Sequence, residues 1–312
     1  MAQPGAFHKV DTPRAPPQQG AMFAAIPFPD LSPEIFSIDL GSFHFALRWY
    51  AMGYIVGILI AWWIMARAIA NASLWQSGAP MTRAQLEDMV TWMVVGIIAG
   101  GRLGFVLFYQ PVYYLYNPLE ILMVWQGGMS FHGGFLGVVL AAWWFSRRHG
   151  LPTASLADLI ALATPPGLGL VRVTNFINAE LWGRPTDMPW GVIFPGARAQ
   201  DCPGIEGLCA RHPSQLYEAA LEGLVLMAVL AFLAYGRGWL KTPGRIAGTF
   251  FLGYGIARFI VEFFREADAQ YITPDNPAGH VFLAMTMGQL LTLPMIAAGV
   301  LTLIWASRRA RA

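Results

Sequence analysis

The sequence predicts an all-α, polytopic membrane protein of about seven transmembrane helices with a small outside cap, N-terminus out and C-terminus in. Hydrophobic residues make up 56% of the 312 and charged residues only 12%, about half the charge of a soluble domain. The apolar residues run in blocks near the roughly 20 residues that cross a hydrocarbon core. Basic residues, finally, fall on alternate connections. With the N-terminus outside, the inside segments hold Arg67, Arg83, Arg147, Arg148, Arg237, Lys241, Arg245, Arg308, Arg309 and Arg311, whereas the connection Gln110 to Leu122 has none.

Residues 1–22, rich in Pro, Gln and Ala, read as a disordered tail without a signal-peptide core, so the first span is expected to act as its own export signal. Residues 23–312 read as a single membrane-embedded domain. Run length and polar or Pro/Gly interruptions place spans at about 48–68, 88–109, 129–146, 154–173, 215–235, 245–264 and 281–306. The stretch of about 176–214 is the cap, too small to fold as a large independent domain, and Glu266 to His280 forms a second outside loop. Cys202 and Cys209 share the cap, where a disulfide is permitted and two free thiols are the alternative. Glycine-arginine strings at 100–105 and 167–172 echo each other too weakly to form a repeat.

Charge inside spans is the first functional signal, because each such group costs on the order of 2.5–3.5 kcal/mol to insert. Arg102, Arg172 and Arg258 are of this kind. Tyr254, Arg258, Glu262 and Arg265 follow i, i+4, i+8, i+11 and share one helix face. An internal Arg–Glu pair would explain that face structurally; a surplus of positive charge favours an anionic ligand instead. Arg172, Asn175 and Asn178 cover about a third of a helix circumference. Arginine offers a forked donor to phosphate, and Glu180 can accept from hydroxyls; plain helix-end capping is the competing reading.

His132 lies between Gly127-Gly128 and Gly133-Gly134, where bare backbone allows close approach and the imidazole can exchange a proton near neutral pH. A lone packing histidine is the alternative. In the string Arg211 to Glu218, His212 and Glu218 could be catalytic, but Pro213 and Ser214 make helix entry the preferred role. Tyr50 reads either as a headgroup donor or as an ordinary belt aromatic. Phosphate-loop, paired-aspartate and Cys/His metal patterns are missing, so no cofactor or metal is expected, and a net charge of +2 gives no reason to expect nucleic acid as a partner. The residues by themselves point to an anion-binding, proton-transferring site for a phospholipid headgroup near the outer leaflet.

Together these strings resemble the bacterial prolipoprotein diacylglyceryl transferase family from about Phe28 to Ala306: Trp49-Tyr50, Gly100-Gly101-Arg102, Gly127 to Gly134, Asn175 to Arg184, His212 to Glu218, Arg258 to Arg265 and Met287-Gly288-Gln289. Val171 and Thr174 stand where members usually have glycine, and Gln126 where an acidic residue is common; the bulk of Thr174 is expected to reshape the lipid pocket. The resemblance implies transfer of the diacylglyceryl group of phosphatidylglycerol to the lipobox cysteine of a preprolipoprotein signal peptide. It also implies a bacterial inner-membrane location with the site towards the periplasm. In this reading Arg172 and Arg258 clamp the phosphate, Asn175, Asn178 and Glu180 orient the glycerol, His132 is the base, Glu262 holds Arg258, and Tyr50, Tyr254, Arg102 and Arg265 add lipid contacts. A transporter or flippase, and a membrane acyltransferase using His132 and Asn175, are the rival readings.

Overall fold

A computed structural model describes residues 25–41 and 43–310, so the expected tail at 1–22 lies outside the described residues. The fold is mostly helical. Among the described residues five helices are long and apolar enough to cross a membrane: α1 (Trp49–Ala70), α2 (Arg83–Phe108), α5 (Thr153–Ile177), α6 (Ser214–Gly236) and α8 (Met287–Arg309). The other two predicted spans are helices of 18 and 17 residues, α4 (Phe131–Arg148) and α7 (Arg245–Val261). Arg147 and Arg148 end α4 and His132 lies in its first turn, which shortens its apolar stretch. A six-residue α3 (Pro111–Tyr116) lies in the connection free of basic residues.

An all-α description needs one correction. Three short strand pairs are present among the described residues: β1 (Ile26–Pro27) parallel to β4 (Val192–Ile193), an antiparallel hairpin of β2 (Glu34–Leu40) and β3 (Phe43–Arg48), and β5 (His280–Phe282) with β6 (Met285–Thr286). The hairpin pairs Ser37 with Ala46 and Ile38 with Phe45 and leads directly into α1. All three pairs lie at the end of the bundle that carries the cap, where backbone groups leave the helices and need other partners.

Apolar side chains such as Leu107, Leu224 and Leu301 face outward, as expected where lipid, not water, surrounds the bundle. Helix contacts therefore depend on close packing of small residues. Gly96, Gly100 and Gly104 of α2 meet Gly133 and Gly137 of α4 so closely that a methyl group on any of them would collide with the partner's backbone or with Ser130. Gly57 of α1 faces Gly167 of α5 less tightly, a methyl group on Gly57 meeting the Gly167 Cα at 3.0 Å. Threonine and glutamine three residues apart form reciprocal capping boxes at the starts of α2 (Thr82, Gln85) and α8 (Thr286, Gln289). Asp158 of α5, wholly buried, accepts from the backbone N–H groups of Gly244 and Ala247, each at 2.7 Å, and so fixes the start of α7 from a neighbouring helix.

The end opposite the cap is the basic one. Arg67, Arg83, Arg147, Arg245 and Arg309 each stack on a tryptophan ring there, over Trp63, Trp62, Trp143, Trp239 and Trp305. Ring and cation together suit a headgroup layer.

Candidate functional site

At the cap end, the last turns of α5 and α7 meet the first turns of α6 and α8. Their charged side chains converge on Glu218 of α6, which is wholly buried. Arg172 Nε of α5 pairs with Glu218 Oε2; Arg258 of α7 and Arg265, just beyond it, reach Glu218 Oε1 at 3.2 and 2.8 Å. Arg258 also pairs with Glu262 at 2.9 Å, one turn along α7. Its planar fork thus bridges two carboxylates, a geometry lysine cannot copy.

The unpaired arginines expected from sequence are not there: Arg172, Arg258 and Arg265 each join an ion pair, although only two carboxylates, Glu218 and Glu262, hold all three. What distinguishes the two signs is access. Glu218 and Glu262 side chains are 1% and 7% exposed, whereas Arg172, Arg258 and Arg265 keep 20%, 17% and 15%. An incoming anion meets guanidinium groups whose far sides are already held by carboxylates, so the cations are oriented before it arrives.

The second half of the site is the end of α5. Arg172 lies 3.4 Å from Asn175 Oδ1, and the amides of Asn175 and Asn178 reach Glu180 Oε1 at 2.7 and 3.4 Å. Glu180 sits between Ala179 and Leu181, which adopt left-handed φ of 51° and 57°. Non-glycine residues pay for such conformations with strain that the surroundings must hold, and here the two folds return the Glu180 carboxylate over the helix end. Gln215 of α6 secures it by donating to Glu180 O at 2.6 Å.

Two matched motifs gain physical reasons. A methyl group on Gly288 would overlap the Glu262 carboxylate, and Thr286 Oγ1 donates to that carboxylate at 3.3 Å, so the start of α8 is shaped around Glu262. Gly183 donates to His212 O at 2.8 Å and packs against the backbone of Phe264, joining the cap to the end of α7. Arg184 adds to that seam through Arg265 O and Ala278 O. Arg211 is almost fully buried and bonds Ala199 O, Gly183 O, Asp201 O and Glu266. Cys202 and Cys209 form a disulfide within the same cap.

The remaining residues singled out by sequence are placed as follows. Tyr50 Oη lies 3.0 Å from Tyr54 Oη, and Tyr54 is within electrostatic reach of Arg172 and Glu180. Tyr254 is likewise near Glu222 and Arg258. Thr174 turns away from the arginine cluster: its methyl packs against Gly53 of α1 and its hydroxyl bonds Val171 O. Arg102 is buried with its guanidinium on the carbonyls of Glu120, Ile121, Gly127 and Gly128. It therefore holds the glycine loop before α4. His132 is exposed as the second residue of α4. Sequence reading ranked Glu218 low and did not register Glu222, although a carboxylate four residues along an apolar span is itself a signal.

His212 Nδ1, in the cap, shares a hydrogen bond of 3.1 Å with the hydroxyl of Tyr217, and Trp190 Nε1 donates to that same oxygen at 2.8 Å. Burial holds the imidazole below its ordinary value of 6.5, opposed by nearby Asp187. No group of three or more potential metal ligands occurs among the described residues.

The sequence profile named "Prolipoprotein diacylglyceryl transferase" matches residues 35–305. A protein of Ruegeria pomeroyi called phosphatidylglycerol–prolipoprotein diacylglyceryl transferase is 62% identical over 93% of this chain and 99% of its own length. Proteins of the same name from Cereibacter sphaeroides and Mesorhizobium japonicum are 60% and 49% identical, covering 91% and 92% of this chain and 99% and 93% of their own.

Proposed function

We infer the reaction from one premise: this chain belongs to the prolipoprotein diacylglyceryl transferase family. It is a multi-pass membrane enzyme, a phosphatidylglycerol–prolipoprotein diacylglyceryl transferase. The observation that carries this is identity of about 60% along nearly the whole length of named transferases. The substrate thiol forms a bond to the glycerol carbon bearing the phosphodiester oxygen; that carbon–oxygen bond breaks, and glycerol phosphate departs with the electron pair. The thiol proton must go to a base.

Our assignment gives Arg172 and Arg258 the phosphate, since both are oriented by Glu218 and reachable. Asn175, Asn178 and Glu180 orient the glycerol, and Glu262 and Arg265 hold the clamp. Tyr50 and Tyr254 close the headgroup region, and His132 takes the thiol proton. Arg102 acts indirectly, by fixing the loop that carries Gly127 and Gly128. No cofactor enters the reaction so written. The shorter α4 and α7 complete seven spans, with the cap outside and the arginine–tryptophan end inside the cytoplasm; the placement of basic residues supports this. A bacterial inner membrane with the site near its periplasmic face follows.

The test uses purified protein, phosphatidylglycerol and a synthetic lipobox peptide with Cys or Ser at the acceptor position. Diacylglyceryl mass gain on the Cys peptide alone, matched by released glycerol phosphate and lost in Arg258→Ala, is the expected result. Absence of transfer by folded protein refutes the reading.

A further inference from the structure

Eight buried side-chain polar atoms have no hydrogen-bond partner among the described residues, and all belong to the site. Four of them, on Glu218, Glu262, Arg258 and Arg265, sit in ion pairs. The remaining four are Asn178 Oδ1, Gln215 Oε1 and both oxygens of Glu222. The two amide oxygens are acceptors, and an ionised Glu222 adds two more.

That uniformity has chemical content. The Gln215 amide cannot be turned round to change it, because its nitrogen is held by Glu180 O at 2.6 Å. Asn178 likewise directs its nitrogen to Glu180. Gln215, Glu218 and Glu222 follow i, i+3, i+7 on α6, so they share a face, and each is no more than 1% exposed. Glu222 also lies in a π-helical stretch, Ala219–Val225, a local form enriched at functional sites. Orphaned buried acceptors are costly and need donors. A phosphodiester brings none; its needs are met by the arginines. Hydroxyl groups bring donors.

We propose that Glu222 and Gln215, with Asn178, form a hydroxyl-accepting subsite beside the arginine cluster that recognises a polyol joined to the phosphate. The subsite rests on the transferase reading above, in which that polyol is the glycerol that leaves with the phosphate. Glu222 and Gln215 are then specificity-determining residues: the arginines select a phosphate, and these acceptors select the alcohol attached to it. The competing occupant is the backbone N–H of the incoming peptide, which would use the same acceptors without regard to the lipid headgroup.

The experiment compares two donor lipids with one lipobox peptide. Phosphatidylglycerol is set against phosphatidylpropanol, which has the same three-carbon phosphodiester and no headgroup hydroxyl, and kcat/KM for thioether formation is measured. The unaltered enzyme is expected to prefer phosphatidylglycerol by about 10- to 100-fold, the effect of a hydrogen bond to a charged group. In Glu222→Gln, and separately in Gln215→Met, the ratio is expected to fall towards one. Equal use of both lipids by the unaltered enzyme overturns the subsite and points to the peptide; so does full preference in both folded variants. If a variant fails to fold, the unaltered enzyme and the other variant still decide. Transfer from neither lipid removes the transferase reading instead, so the two failures are distinct.

Discussion

Replacing Glu218 by glutamine removes the single charge on which Arg172, Arg258 and Arg265 converge. Each pair at about 3 Å has a gross attraction near 5 kcal/mol at an effective dielectric of about 20, most of it offset by desolvation. Taking one partner from a buried pair costs about 3–5 kcal/mol, because the charges left behind lose compensation. Glutamine keeps the volume and one acceptor, so the loss is expected near the lower figure, visible as a drop of several degrees in melting temperature. Catalysis should suffer more than binding. The three guanidiniums still attract phosphate but no longer hold it in place, and misplacement by about 1 Å costs on the order of 100-fold. The expected signature is therefore kcat lowered by about 100-fold with KM altered far less. Measurement needs purified protein, a melting curve and steady-state transfer to a lipobox peptide. A Glu218→Gln enzyme with normal melting temperature and kcat would refute the claim that this carboxylate organises the clamp.

Gly288→Ala drives a methyl into the Glu262 carboxylate; transfer should fall by about ten-fold or more as Arg258 loses its second partner, while melting changes little because a side-chain tip can move. Arg258→Lys, unable to bridge Glu218 and Glu262 together, should lose kcat to nearly the extent of Arg258→Ala in the same assay. The His212 imidazole is depressed by burial. Below the unfolded value of 6.5 the unfolded chain takes up this proton more readily, so stability is lost as pH falls through that window and is level above it. His212→Gln should flatten that acid-side decline in melting curves. Asp158→Ala removes the acceptor for Gly244 and Ala247 N–H, and a loss of about 1–3 kcal/mol is expected for each orphaned donor, read as a lower melting temperature.

The helices were legible because lipid imposes a pattern that length and composition alone can express. Predicted starts and ends lie within a few residues of α1, α4, α5 and α6. The β2–β3 hairpin was missed for a related reason: its strands are also apolar, and a reading by run length has no means of seeing that Ser37 pairs with Ala46 and Leu40 with Phe43 across antiparallel strands. The last predicted span began at 281 instead of 287 because β5 supplies Val281 and Phe282, apolar residues that pair with β6 in a hairpin. Disulfide formation between Cys202 and Cys209 was open in sequence because spacing does not fix geometry.

The site was legible as a set of residues but not as a circuit. Helical spacing predicted the Arg258–Glu262 pair, since both lie on one helix. It could not place Glu218 between Arg172 and Arg258, which come from two other helices, and so the cluster looked more positive than it is. Ser214 and Pro213 drew attention to helix entry, and the carboxylate one turn further was read with them. A general lesson for charged residues in apolar spans follows from the energetics. A lone arginine at such a site is costly, so each one implies a partner in the bundle: backbone carbonyls serve Arg102, and for Arg172 and Arg258 unassigned acidic residues elsewhere in the spans are the first candidates. Applied to Arg172, that rule leads to Glu218 and, four residues on, to Glu222, whose oxygens still lack donors. The arginines find partners within the protein; these acceptors do not, and that remaining need is what a substrate hydroxyl can complete.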